Sequence, residues 1–267
     1  MSKLSDKSRF KKLKYVCINK ILDLHHVANA GHISSSLSCL DLILYSHFFR
    51  MMPGDKFILS KGHSASALYV VLAKSGKIPL GMLQTYYKDG TYLAAHPPCG
   101  MDRVNGITFG TGSLGHGLSL SIGLAFSNKF TKKNFNTYCL ISDGECNEGS
   151  TWEAALFAGH HSLRNLFVLI DKNGLQAFGK TSEVANLEPL EQKWRSFNFD
   201  VVTVNGHDFN QIDDAFKKLT KSVKPKCIIA ETNAIISFMK DKVEWHYLPL
   251  NAEQYKKAKN EVSLKNA

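Results

Sequence analysis

The stretch "SDGECNEG" (142–149) sets two carboxylates, Asp143 and Glu148, around Gly144 and Gly149, directly after the apolar run "TYCLI". A second apolar run, "LFVLI", leads to Asn173, 30 positions after Asp143 (173 − 143). A carboxylate, an amide oxygen and a nearby backbone carbonyl form a hard, incomplete oxygen shell. Such a shell holds Mg²⁺ when a phosphate ester or diphosphate completes the octahedron. The two glycines let the backbone approach a bulky anion, and a helix expected to start near Ser150 or Thr151 turns its free N–H groups toward it. Asp-Gly is also the commonest turn dipeptide, so the turn alone says little; the specificity comes from Asn173 at the next strand end.

The elements that must position these residues follow from the pattern. "IN.ILDL", "SLSCLDLILYSHFF", "SASALYVVLAKSG", "STWEAALFAGHHS" and "FNQIDDAFKKLT" have helical spacing. "KFILS", "NTYCLIS", "NLFVLID", "FDVVTV" and "KCIIAET" read as strands. Strands apolar on both faces and separated by helices predict an α/β fold, a parallel sheet covered by helices on both faces. Ligands of such sheets bind beyond the carboxyl ends of the strands, where Asp143 and Asn173 fall.

Composition narrows the class. With 267 residues, 44% hydrophobic and 21% charged, the chain suits one large domain spanning 1–267. No apolar window reaches the roughly 18 to 20 residues of a membrane span, and "MSKLSDKSRFKKLKY" lacks the apolar stretch of a secretory signal. The expectation is a cytoplasmic protein with no membrane partner. Six cysteines (Cys17, Cys39, Cys99, Cys139, Cys146 and Cys227) include no C-x-x-C pair, so neither a disulfide framework nor a zinc site is indicated. The net charge of +10 comes from separate clusters, "KSRFKKLK", "TKKN", "KKLTKSVKPK" and "YKKAKN", without interleaved aromatics. That favours solvated helix faces and anionic metabolites over nucleic acid.

"DGECNEGSTWEAALFAGHHSLRNLFVLIDKNGLQ" resembles the thiamine diphosphate signature of transketolases. "GHISSSLSCLDLILY", "FILSKGHSASALY", "AAHPP", "TGSLGHGLSLSIGLA", "LEPLEQKWRSFNFDVVTVNGHDF" and "SFMKDKVEWH" occur in transketolase order over nearly the whole chain. The resemblance implies a thiamine diphosphate-binding fold of transketolase type. It implies Mg²⁺, with Ca²⁺ or Mn²⁺ able to substitute, on Asp143, Asn173 and the carbonyl of Leu175. Gly144 matches a diphosphate contact, and Gly112 and Leu114 match the loop touching the aminopyrimidine. His32, His63, His96 and His246 match the histidines lining the thiazolium and sugar channel, with His63 also counted among the cofactor contacts. Glu148 matches a carboxylate meeting the partner chain.

Those histidines suit the chemistry in their own right. Two-carbon transfer from a ketose needs proton removal, carbanion protonation and hydrogen bonds to polyols, which imidazole provides near neutral pH. Any one of the 11 histidines is by default a satisfied surface or core residue. His63 in "SKGHSA" and His96 before Pro97 are the first candidates, then His32 and His246; His25, His26, His47, His160, His161 and His207 keep the default.

The chain departs from the full-length pattern by stopping after the first of three domains. The resemblance therefore implies the N-terminal subunit of a split transketolase, working with a C-terminal subunit that carries the pyrimidine domain, in an α2β2 heterotetramer acting on small sugar substrates. Ser142 replaces a glycine, "GHIS" replaces Gly-His-Pro-Gly, and "ETNAIISFM" is shortened where Lys-Gly-Lys-Gly is expected. Ile235 and Ile236 stand there instead, and two readings are open: they stiffen the channel wall beside His246 and change the acceptor, or the change is ordinary loop drift. Alternatives are a thiamine diphosphate-dependent synthase acting on a non-standard sugar or 2-oxo acid, and a non-catalytic scaffold chain, which has no need of these residues together. A nucleotide-binding Rossmann protein is disfavoured because no G-x-G-x-x-G follows the first strand.

Overall fold

The structure, a computed structural model, describes residues 3–98, 104–131 and 134–265. Cys99, Lys132 and Lys133 of the cysteine and basic-cluster readings lie outside the described residues. In chain order the strands are β1 (Lys56–Leu59), β2 (Thr137–Ser142), β3 (Leu166–Lys172), β4 (Leu175–Gln176), β5 (Gly179–Lys180), β6 (Asp200–Asn205) and β7 (Lys226–Glu231). The helices are α1 (Lys3–Ala28), α2 (Ile33–Ser38), α3 (Leu40–Tyr45), α4 (Ala65–Lys74), α5 (Gly117–Thr131), α6 (Gly149–His160), α7 (Thr181–Val184), α8 (Leu190–Ser196), α9 (Phe209–Thr220) and α10 (Ala252–Leu264).

Five strands form a wholly parallel sheet in the order β1-β2-β3-β7-β6, and β4 and β5 form a small antiparallel hairpin. The expected sheet, covered on both faces, is what forms, and β3 shows why. Its side chains alternate between two cores. Phe167 and Leu169 pack with residues of α1, α3, α4, α9 and α10, whereas Leu166, Val168 and Ile170 pack with α5, α6 and α8. A strand buried on both faces must be apolar throughout, which explains the unbroken runs in the sequence.

The register aligns the carboxyl ends of the central strands: Ser142 of β2 lies opposite Asp171 of β3, and Asp171 opposite Ala230 of β7. Side-chain caps fix where helices leave this sheet. The Asp208 carboxylate accepts from the amides of Asn210 (2.8 Å) and Gln211 (3.3 Å) to start α9, and Asn251 with Gln254 forms a capping box on α10.

One predicted helix breaks. "SLSCLDLILYSHFF" divides into α2, α3 and a π-helical turn at Ser46–Arg50. Near the break the Ser35 carbonyl accepts the Ser38 hydroxyl (3.1 Å), the Cys39 thiol (3.2 Å), the Ser64 hydroxyl (2.9 Å) and the Lys61 ammonium (3.2 Å). These donors compete with the helical ladder. The described cysteines, Cys17, Cys39, Cys139, Cys146 and Cys227, are free and buried. No helix among the described residues is long and apolar enough to cross a membrane.

Candidate functional site

The acidic turn is stitched to the neighbouring strand, because the Asp143 amide donates to the Asp171 carbonyl at 3.1 Å. Asp143 is 2% exposed. Its Oδ1 accepts from the Gly144 amide at 3.0 Å, and its Oδ2 from the Gly174 amide at 2.9 Å and the Thr181 hydroxyl at 3.0 Å. Burial, with the Asp171 carboxylate nearby, pushes Asp143 up to about 6 despite these donors. Asn173 stands at the end of β3, where its Oδ1 accepts from the Leu175 amide at 2.9 Å. Asp143, Asn173 and Leu175 share the lining of a cavity of about 320 Å³ with Lys180 and Thr181.

Among the described residues no group of three His, Cys, Asp or Glu side chains is placed to hold a metal. One carboxylate, one amide oxygen and one backbone carbonyl instead suit a hard cation that keeps outside ligands, rather than zinc. The helix after the turn starts at Gly149, slightly earlier than expected, with Glu148 as its N-cap residue.

The four candidate histidines come together from four segments. Ring centroids of His32 lie 5.2 Å from His63, 6.5 Å from His96 and 5.0 Å from His246, and His63 lies 5.3 Å from His246. His32 holds a left-handed backbone (φ 62°), uncommon outside glycine, and its Nδ1 is buried without a partner. Burial lowers the pKa of all four rings. For His63 the Lys61 charge and the other three rings add to it, and for His246, held at about 4, His32 and Lys61 do. Rings in this condition are uncharged acceptors near neutral pH.

Gly112 and Leu114 lie on the loop before α5. A Cβ on Gly62 would fall 2.9 Å from the Gly112 amide nitrogen, so this loop backs directly onto the segment carrying His63. Glu145 ties the loop to the acidic turn: its buried carboxylate accepts from the Ser60 hydroxyl and, at 2.8 Å, from the Gly115 amide. Burial raises its pKa. Glu148 is exposed, with its Cβ against the Gly115 backbone.

Sequence reasoning missed Lys61, Asp171 and Glu145. Lys61 and Asp171 form an ion pair with both side chains fully buried. Asp171 also accepts from the hydroxyls of Ser38 (2.6 Å) and Thr232. The available signal was a charge at the end of each of two apolar strands, "FILSK" and "LFVLID".

The expected role of Ile235 and Ile236 in the channel wall is corrected. Ile236 is fully buried in the core, and Ile235 faces a recess lined by Lys11, Tyr15, Ile18 and Val262 of α1 and α10. The chain turns sharply here, with Ile235 at φ 58° and its amide held by the Asn233 side chain at 2.9 Å. The turn places Ile235 against α1 and α10 and Ile236 in the core.

The profile of the family described as "Transketolase, thiamine diphosphate binding domain" matches residues 14–267. The chain is 38% identical over 256 residues to one of the subunits of the apulose-4-phosphate transketolase of Phocaeicola vulgatus, covering 91% of this chain and 90% of that one. It is 36% identical over 273 residues to 6-deoxy-6-sulfo-D-fructose transketolase subunit SqwG of a Clostridium species, covering 92% and 98%. Among solved structures, transketolase from Campylobacter jejuni superposes with a TM-score of 0.86 at 26% identity, over 96% of this chain and 43% of that one. The chain thus spans nearly the whole of these two subunit relatives and less than half of the solved transketolase.

Proposed function

Because this chain belongs to the family of transketolase thiamine diphosphate-binding domains, we propose that it is the diphosphate-anchoring subunit of a two-chain transketolase. Its reaction is the transfer of a two-carbon ketol unit from a ketose or ketose phosphate to an aldehyde. The observation that carries this reading is the convergence of Asp143 and Asn173 at adjoining strand ends, tied to the clustered histidines through Asp171, Lys61 and Ser35.

The residues fit the implied groups. Asp143, Asn173 and the Leu175 carbonyl are hard oxygen donors, and the buried Asp143 carboxylate, its pKa raised by burial and by Asp171, would gain from a divalent cation. Gly144 packs closely on Gln176, since a Cβ there would come 3.0 Å from the Gln176 Cβ, so the turn has no room for a side chain on that side. The Gln176 Nε2 is buried and without a partner at the same turn. Asp143, Asn173 and Leu175 would hold Mg²⁺, or Ca²⁺ or Mn²⁺ in its place, and Gly112 and Leu114 would touch the aminopyrimidine. When bound, thiamine diphosphate supplies the electron sink for the two-carbon carbanion.

The remaining work falls to this chain's side chains. His63 and His96, uncharged through burial, take the proton from a substrate hydroxyl and return it. His32 and His246 flank them and hydrogen-bond the polyol. Closely packed rings around the reacting centre also exclude water.

The second half of the site comes from a separate subunit carrying the pyrimidine and C-terminal domains. The naming of the two relatives as transketolase subunits supports this, as does their near-complete coverage. Glu148, exposed beside the acidic turn, would face that subunit, and a site needing both chain types favours an α2β2 assembly. The relatives' names also favour a non-standard ketose as donor. The test is product analysis by mass spectrometry. The chain, its pyrimidine-domain subunit, Mg²⁺ and thiamine diphosphate are mixed with xylulose 5-phosphate, apulose 4-phosphate or 6-deoxy-6-sulfofructose and an aldehyde acceptor. Two-carbon extension of the acceptor is expected with at least one donor; none with any of the three contradicts the reading.

A further inference from the structure

Lys61 is an entirely buried ammonium in a molecule whose other lysines are mostly exposed or half-buried. Its partner Asp171 is gripped from three sides, by Lys61 after β1, by the Ser38 hydroxyl ending α2 at 2.6 Å, and by the Thr232 hydroxyl after β7. Lys61 also donates to the Ser35 carbonyl at 3.2 Å, and the Ser35 hydroxyl stands 3.5 Å from the His246 Nδ1. Two residues further on, His63 enters the cluster. One serine therefore touches the ammonium on one side and a histidine on the other.

A buried ion pair is a poor device for stability, because desolvation of both charges offsets their attraction and apolar residues of equal volume serve as well. Its worth must lie in the charge it fixes in place. We propose that Asp171 is a positioning residue that fixes the Lys61 ammonium behind His32, His63 and His246, where its field adds to burial in keeping these three rings uncharged. The link to turnover rests on the transketolase reading of His63 and His96; the electrostatic claim does not.

The surrounding charges agree. Burial opposes the Lys61 charge, but Asp171 outweighs it and holds the ammonium above its ordinary pKa, with Cys39 and Asp143 also facing it. Glu145 feels the same ammonium from the acidic turn. The rings face Lys61 and one another, with His25 behind His32. After burial, Lys61 is the largest influence lowering His63, and it also lowers His32 and His246.

Lys61→Met alone would strand a buried carboxylate, so the decisive variant is the double change Lys61→Met with Asp171→Asn, which keeps the space filled and neutral. Imidazole proton resonances of the full chain are titrated in the wild type, the double variant and Lys61→Arg. In the double variant the midpoints of His32, His63 and His246 are expected to move up toward the ordinary imidazole value, while Lys61→Arg keeps them low. The acid limb of kcat/KM for the mixture with the partner subunit is expected to move to higher pH in the same double variant. A folded double variant with unmoved midpoints, or a double variant that does not fold, overturns the proposal. Moved midpoints without turnover by the wild-type mixture would instead count against the transketolase reading alone.

Discussion

The His32 amide donates to the His246 carbonyl at 3.2 Å, so two histidines far apart in sequence share one wall of the cluster. The crossing is tight at the preceding residue, where a Cβ on Gly31 would stand 2.3 Å from the Tyr247 carbonyl oxygen. Gly31→Ala should therefore push the two segments apart and destabilise the chain by about 1–3 kcal/mol, as overpacking does. Denaturant unfolding measures this, and wild-type stability in that variant contradicts the close contact.

Asp143→Ala should abolish retention of Mg²⁺ with thiamine diphosphate while leaving the fold intact, because the remaining oxygens cannot compensate a divalent charge. Calorimetry on the variant should show no cofactor binding, together with a wild-type circular dichroism spectrum. Wild-type affinity in the variant removes the metal assignment.

Cofactor affinity should also depend on pH through this carboxylate. Proton and metal compete for Asp143, whose pKa in the fold is raised from 3.8 to about 6. Metal affinity should be level above about 6 and fall as the pH drops below it. In the metal-free chain the sign for stability is opposite. A raised pKa gives a contribution fully present below 3.8 and lost as the pH rises through about 6. Titration calorimetry from mildly acidic to mildly alkaline pH checks the first effect, and affinity that is flat or increases on acidification contradicts it.

Strands β2 and β3 are legible in the sequence because burial on both faces demands unbroken apolar runs, and the acid and amide that follow them point to a site only as a pair at neighbouring strand ends. The four histidines are legible through a family resemblance rather than spacing, since nothing local says that residues 32, 63, 96 and 246 meet. Lys61 and Asp171 escaped notice because a charge at a strand end normally marks the surface. Only the packing of α2 and the β7 exit over them shows that they are buried. Ile235 and Ile236 misled for a similar reason: closeness in sequence to His246 says nothing of where a side chain points, and a turn with positive φ at Ile235 places that residue against α1 and α10 and Ile236 in the core.

His63→Ala and His96→Ala should each lower kcat of the mixture with its partner by roughly 10²- to 10⁴-fold, the range of lost general acid–base help, with little change in melting temperature. Steady-state kinetics beside thermal melts separate the cases. Normal turnover per folded molecule with a lowered melting temperature would make them structural residues.

The two-chain architecture is the central claim, and one measurement bears on it most directly: ketose-donor cleavage by the purified chain, with and without the pyrimidine-domain subunit, alongside sedimentation of the same samples. On the transketolase reading this chain would supply the diphosphate anchor and the histidine channel, and the partner subunit the carboxylate that meets the pyrimidine ring. Alone, this chain should show no donor cleavage and weak cofactor binding. The mixture should sediment as a larger complex, consistent with α2β2, and gain both turnover and cofactor affinity. Robust turnover by the isolated chain, or a stable complex that remains inactive toward every ketose donor, would contradict the account.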